Sequence, residues 1–335
     1  MSKNLILLII FFIIFNGFTL YSEQFIANYY SNVNKAELLI IQAKYKEAVK
    51  HYKKAEKYRN LFAKDAFNAC LASVQINNFG ATAHFAENLL KKGVDSSFFK
   101  MNFEFENFVK SKDWQLLTRK RIQCEIDFNI RNYILNLLEK DQNPRLNNLD
   151  ILERVKVDLE IGKIMDSLFL KYGYLNEELI GIFPEKPDEF PRGWSPLDII
   201  LIHQVKLDKS KFKSLFEKYV HHGKMHNTKL AMHSTNFDND SFYLFRCFNF
   251  GMGDFIKIGQ DVFTCGDDLE KLINNNRQRI HLPNLAFSII SADFRKRNTK
   301  FILGAKPMFY TDLDFKQQDD LRADLLSKGY RLIKE

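Results

Sequence analysis

Asp141-Gln142-Asn143-Pro144-Arg145, the run from Leu149 through Tyr172 to Gly173, and Ser195-Pro196-Leu197-Asp198-Ile199-Ile200-Leu201-Ile202-His203-Gln204 decide how the chain is read. The Leu149–Tyr172 run has helical periodicity and stops at a glycine suited to a left-handed cap. Ser195 is a capping residue and Pro196 fits the first helical position, so a second helix is expected to carry Leu197, Ile200, Leu201 and His203. Between the two helices, Gly181, Pro184, Pro187, Pro191 and Gly193 predict an irregular loop over 181–197. Upstream, Ile122, Ile126, Ile130, Ile134 and Leu138 recur at four-residue steps and predict one long helix over Arg119–Lys140. Pro144 is expected to prevent its continuation, leaving Asp141–Arg145 just past the helix end.

Toward the N-terminus the pattern stays helical. Ala36-x-x-Leu39 and Tyr45-x-x-Ala48-x-x-x-Tyr52-x-x-Ala55 alternate small and aromatic residues on one stripe, as in the second half of a tetratricopeptide repeat. One 34-residue period later stand Phe79, Thr82, Ala86 and Leu89, a degenerate match. Fewer than three repeats rarely stand alone, so residues 23–125 are expected to pack on the C-terminal part of the chain. Lys92-Gly93 marks a helix stop, and Phe98, Phe99, Phe103, Phe105 and Phe108 are expected in the core.

Toward the C-terminus a helix over Lys209–Val220 should end at Gly223. Phe242–Phe248 and Phe255–Ile258 around Gly251 and Gly253 predict a β-hairpin near 242–258. A short helix over Asp267–Asn275, a strand at Phe301–Leu303, a helix over Gln317–Leu326 and an extended Leu332-Ile333 complete the chain. The expected fold is mainly α: tetratricopeptide-like hairpins over 23–125, a helical domain with a small hairpin over 126–290, and a short α/β tail over 291–335.

Residues 1–22 have a different logic. Lys3 precedes eleven apolar residues, Leu5–Phe15; Asn16 and Gly17 break the run, and Ser22 offers a small residue for cleavage. That is signal-peptide architecture, too short to span a bilayer. It predicts export to the periplasm or the exterior, with membrane contact only through an uncleaved leader.

Composition narrows the function classes. With 335 residues and 46% hydrophobic content, the chain can bury more than one core. The net charge is +8, but Lys and Arg alternate with Asp and Glu, which argues against a nucleic-acid partner. Cys70, Cys124, Cys247 and Cys265 form no Cys-x-x-Cys pair, and are expected as small buried hydrophobes. Export would permit a disulfide, and Cys247 and Cys265 flank the predicted hairpin. No phosphate loop, Gly-x-Ser-x-Gly or His-Glu-x-x-His motif is present. His222-x-x-x-His226 has metal-ligand spacing, but Gly223 interrupts it and a solvated polar turn is expected; neither a metal nor a cofactor is called for.

The candidate chemistry lies in the opening stretch. His203 follows an apolar run and should face inward, toward Asp141, Gln142, Arg145 and Asp158. A carboxylate can orient the imidazole as a general base, and an arginine can clamp an anion. The same residues would equally serve as a polar cluster that holds helices in register.

Asp141-Gln142-x-x-Arg145, Asp158, Gly173, His203, Gly223, Arg277 and Leu282-Pro283, in this order over about 138–285, resemble a family of uncharacterised, often exported bacterial proteins that sometimes follow tetratricopeptide-like helices. The resemblance implies a shared architecture and a site that includes Arg277, and names no reaction. This chain departs from the pattern at Ile161, at His233-Ser234-Thr235, where an acidic residue is usual, and at Tyr243-Leu244-Phe245, which replaces Tyr-Gly-Thr.

The leading expectation is an exported, non-enzymatic binding or scaffolding protein of the cell envelope, taking a protein or peptide on its N-terminal helices. The alternative is a hydrolase-like enzyme with His203 as base, Asp141 or Asp158 as its orienting carboxylate, and Arg145 and Gln142 contacting the ligand. The first needs an exposed aromatic groove over 36–90; the second needs a pocket beside His203.

Overall fold

The computed structural model describes residues 23–333 apart from 185, 192–193, 238–240, 244, 247–255, 259–260, 304–307 and 311–314. The predicted leader therefore lies outside the described residues. Among the described residues the chain is mainly helical, with one small sheet, and no helix is long and apolar enough to cross a membrane.

Four helices open the fold: α1 (23–41), α2 (Tyr45–Ala55), α3 (Ala63–Gln75) and α4 (Phe79–Lys91). The small-and-aromatic stripe buries as its spacing requires, with Ala36, Ala48, Tyr52 and Ala55 all at 0% exposure. Short segments α5 (Ser96–Met101), α6 (Glu106–Val109) and α7 (Lys112–Arg119) come next, and Phe98, Phe99, Phe105, Phe108 and Trp114 pack ring against ring. Phe103 does not join them: it is 76% exposed.

The long helix expected over Arg119–Lys140 is broken. Residues 120–127 are non-helical because tertiary bonds claim their backbone: Glu125 N–H donates to Lys91 O and Asp127 N–H to Leu179 O. Asp127 then caps α8 (Phe128–Leu146), accepting from the N–H groups of Asn129 and Ile130. Pro144 lies inside α8, so Asp141–Arg145 occupies the last turns of the helix instead of following it. A proline so near the C-terminal end disturbs only the final turns, and the helix stops shortly afterwards.

Helix α9 (Ile151–Tyr172) ends at Gly173, φ +71°, as its sequence predicts. Ser195 and Asp198 form a reciprocal capping box that starts α10 (Pro196–Leu207). Then come α11 (Lys209–His221), closed by Gly223 at φ +62°, and α12 (Asn227–His233). Helices α8 to α12 share a second core containing Ile134, Ile161, Leu201, Phe216 and Leu230.

The hairpin is shifted from the expected 242–258. It pairs β1 (Ile256–Ile258) antiparallel with β2 (Asp261–Thr264), Ile258 facing Asp261. Ser241–Tyr243 is a short 3-10 turn, Phe245 and Arg246 are buried outside any strand, and 247–255 lie outside the described residues. After α13 (Asp267–Arg279) and α14 (Leu285–Arg297), β3 (Met308–Tyr310) adds parallel to β1; after α15 (Phe315–Ser327), β4 (Arg331–Ile333) adds antiparallel to β2. The order is β3-β1-β2-β4, so the tail completes the sheet that the hairpin begins. A third core, with Ile258, Phe263, Ile273, Leu285 and Leu325, sits beneath it.

Phe301–Leu303 is not a strand. Asn68 on α3 takes both backbone groups of Ile302, donating to its carbonyl at 3.0 Å and accepting from its N–H at 2.9 Å. This clamp seats Phe301 and Leu303 in the first core, where Phe301 stacks on Tyr45 at 5.9 Å. Phe190 stacks on Phe67 at 4.4 Å in the same core. The aromatic face of residues 36–90 is thus filled by the chain's own later segments. Cysteine usage differs too: Cys70 and Cys124 are free, while Cys265 is disulfide-bonded.

Candidate functional site

Helices α8, α9 and α10 bring five of the expected residues together. His203 Nδ1 lies 2.9 Å from both carboxylate oxygens of Asp141, which is fully buried. Gln142 donates to the same carboxylate at 2.6 Å. Arg145 donates through Nη1 to the Asp141 carbonyl at 2.5 Å and through Nη2 to both oxygens of Asp158 at 2.8 Å. A residue that local patterning did not assign completes the group: Gln204 donates to the Asp158 carbonyl at 3.0 Å. Gly162 makes room for it, since a Cβ there would come within 2.7 Å of Gln204 Oε1.

Every polar contact in this group ties one helix to another or to its own last turn. Arg145 is committed to Asp158, so it is not an anion clamp in waiting. Asp141, Asp158 and His203 offer donor atoms within 4.8 Å of one another, close enough for a cation. The Arg145 guanidinium already supplies positive charge there. Arg277 is elsewhere: it donates to Pro283 O at 2.5 Å, Phe245 O at 3.1 Å and Ser288 Oγ at 3.0 Å. Those bonds give the spaced Arg and Leu-Pro residues a local meaning, because they fold the α13–α14 turn back on its own helix.

Arg277 instead helps line a cavity of about 600 Å³ where α1 and α3 meet α10, α12 and α14. That volume suits a small organic molecule. Tyr30 and Phe62 of the N-terminal unit, Trp194 and Phe190 of the 181–197 loop, and Phe287 of α14 provide aromatic walls. Polar groups converge among them. Glu37 and Lys64 pair at 2.7 Å, and Lys229 bonds Asp198. None of Asp141, Gln142, Arg145, Asp158 or His203 lines this cavity. A second hollow, of about 700 Å³, runs along 120–126. Its lining is exposed or half-buried apart from Ile126 and carries no converging buried polar groups, so the other cavity is the better site.

The cavity wall perturbs its titratable groups, as functional clefts do. Burial raises the Glu37 and Glu177 carboxyls, with Lys64 and Lys92 respectively opposing it. Burial also disfavours ionised Asp198, but Lys229 and His233 outweigh it and hold the carboxyl well below the usual range. For Lys64 burial is likewise overcome, by Glu37 and Asp65, and the amine stays charged.

The expected polar turn at His222 and His226 is not solvated at its second member. His226 caps α12, is 10% exposed through its side chain, and lines the cavity. The Thr228 N–H donates to His226 Nδ1 at 3.2 Å, so that nitrogen is the unprotonated one. The Thr228 hydroxyl lies 2.7 Å from the same nitrogen. The proton sits on Nε2, which has no hydrogen-bond partner and faces Asp65 Oδ2 at 3.6 Å. Burial lowers His226, with Asp65 opposing it. Asp65, although fully buried, is held below the ordinary carboxylate range by His226, Lys64 and the Tyr29 hydroxyl, which donates at 2.5 Å. Sequence could not reveal this set, because Asp65 and His226 belong to different units.

No family model, curated protein or solved structure matches the chain.

Proposed function

We propose that the chain is an exported binding protein of the cell envelope that holds a small amphipathic molecule in the cavity where α1 and α3 meet α10, α12 and α14. The observation that carries this reading is the cavity's lining: aromatic walls for an apolar body, and the Glu37–Lys64 and Asp198–Lys229 pairs as the polar groups that would meet a headgroup. A groove for a protein or peptide on the N-terminal helices has lost its main support, since Phe190, Phe301 and Leu303 occupy that face. Export is favoured by the signal-like leader and by the disulfide at Cys265, a bond that persists in oxidising compartments.

The hydrolytic reading of His203 has one observation in its favour, the orienting contact from Asp141. It lacks a free Arg145 and a place on the cavity wall. We infer that this cluster fixes the register of α8, α9 and α10.

The test is calorimetric titration of the full chain with 8-anilinonaphthalene-1-sulfonate, an amphipathic aromatic anion. Saturable 1:1 binding is expected, weakened roughly tenfold, or about 1.4 kcal/mol, by Ala231→Phe, which places a ring in the cavity from α12. Absence of saturable binding, or binding indifferent to Ala231→Phe in a folded variant, overturns the proposal.

A further inference from the structure

We propose that the cavity wall carries a hydrolytic relay, with Thr228 as nucleophile, His226 as its general base and Asp65 as the residue that positions His226, acting on a small carboxylic ester. The relay rests on the cavity being a ligand site and adds turnover to it.

The geometry has the order that such a relay needs. The Thr228 hydroxyl lies 2.7 Å from His226 Nδ1, the nitrogen that accepts the Thr228 N–H, within the reach required of a nucleophile and its base. The opposite ring nitrogen bears the proton and faces a fully buried carboxylate at 3.6 Å, a separation that ligand-free sites commonly close when occupied. His226 and Thr228 both line the cavity, so a bound molecule would meet them directly. Independent of that order, His226 Nε2 and Asp65 Oδ1 are buried without hydrogen-bond partners. Buried orphan groups cost stability and are usually retained for a reason. Capping α12 requires only the Thr228 N–H bond; it explains neither the buried aspartate behind the ring nor the hydroxyl in front of it.

Charges around His226 suit a base. Asp65 and Lys64 face it from α3 and Arg59 from the α2–α3 connection, while Tyr30 and Phe62 pack edge-on to its ring. The cations and the burial favour the neutral ring; Asp65 alone stabilises the imidazolium that forms during reaction.

The steps balance. Thr228 Oγ attacks the ester carbonyl carbon as its proton passes to His226 Nδ1. The tetrahedral intermediate collapses, the bond to the alcohol oxygen breaks, and that oxygen takes the proton from Nδ1. Water then attacks the acyl-threonine and gives one proton to Nδ1. The acyl bond to Oγ breaks, Oγ recovers the proton, and the carboxylic acid leaves. The sum is ester plus water to acid plus alcohol.

The test uses the full chain with p-nitrophenyl butyrate as substrate and diisopropyl fluorophosphate as trap. Wild type should hydrolyse the ester and acquire one phosphoryl adduct, located on Thr228 by peptide mass spectrometry. Thr228→Val, nearly isosteric, should lose the adduct and lower kcat by roughly a hundredfold or more. Thr228→Ser should restore both. Asp65→Asn should lower kcat about tenfold with KM little changed, and shift the inflection of the pH–rate profile, which a merely structural role would not do. A hydrolysis rate equal in wild type and Thr228→Val, or an adduct at another residue, overturns the relay. If anilinonaphthalene sulfonate still binds in that case, the cavity reading survives without it; if nothing binds, both fall.

Discussion

Arg145 places one guanidinium nitrogen 2.8 Å from both carboxylate oxygens of Asp158, joining the last turns of α8 to the middle of α9. Asp158 is 7% exposed, so this pairing is what allows a charged carboxylate between the helices. Replacing Arg145 with Met would leave that charge uncompensated. The expected loss is about 3 kcal/mol in urea unfolding. A loss below about 0.5 kcal/mol, the usual scale of a surface change, would show the pair to be incidental.

His203 should behave as part of the same clasp. His203→Gln removes the imidazole from fully buried Asp141 but leaves the Gln142 donor in place. The expected cost is about 1–2 kcal/mol, with p-nitrophenyl butyrate hydrolysis unchanged. A collapse of hydrolysis in a folded His203→Gln chain would return the chemistry to α10.

Gly181 fixes the start of the loop that reaches the cavity. Its φ is +71°, and a Cβ there would stand 2.8 Å from Lys92 O and 2.9 Å from Arg131 Nη1. Arg131 needs that space to donate to the carbonyls of Ile180 and Ile182, each at 2.8 Å. Gly181→Ala is expected to cost about 2–3 kcal/mol by denaturant unfolding, the strain of a non-glycine residue held in that region. An unchanged midpoint would mean that the loop relaxes freely.

Acid should destabilise the fold from an identifiable source. His226 is lowered by burial, and His281 is lowered to about 4, chiefly by burial and then by His221. A histidine with a depressed folded-state value binds its proton more readily when unfolded. Its contribution is therefore complete above about pH 6.5 and is lost as pH falls through the folded value. The melting temperature should drop between pH 6.5 and 4, and His281→Asn, compatible with the φ of +61° at that position, should flatten the drop. An equal drop in the variant would remove His281 from the account.

Alkylation reports the cysteine arrangement. Under denaturing, non-reducing conditions iodoacetamide should label Cys70 and Cys124 and spare Cys265; of the two free thiols, the half-buried Cys124 should react in the native chain and the buried Cys70 should not. Labelling of Cys265 without reductant would contradict the disulfide.

What could be read from the sequence divides along the range of the forces involved. Gly173, Gly223 and the Ser195-Pro196 start act within a few residues, and the helix ends they predict are where the structure has them. Convergence of Asp141, Arg145, Asp158 and His203 was also legible, because inward-facing polar residues on adjacent helices need each other. The break at 120–127 was not, since bonds to Lys91 and Leu179 impose it and no local Gly or Pro announces it. Phe301–Leu303 has strand composition, yet Asn68 claims its backbone. The cavity, with His226 and Thr228 on its wall and Asp65 behind His226, escaped altogether. These residues come from separate units, and His226 beside Gly223 looked like part of an exposed turn.

Trp194 stands on the wall of the junction cavity and reports directly on a ligand held there. With Trp114→Phe removing the other tryptophan, Trp194 emission is followed during titration with anilinonaphthalene sulfonate. Saturable quenching with energy transfer to the probe is expected, abolished or strongly weakened by Ala231→Phe. Trp194 emission that stays constant while the probe binds elsewhere, or does not bind, would contradict it.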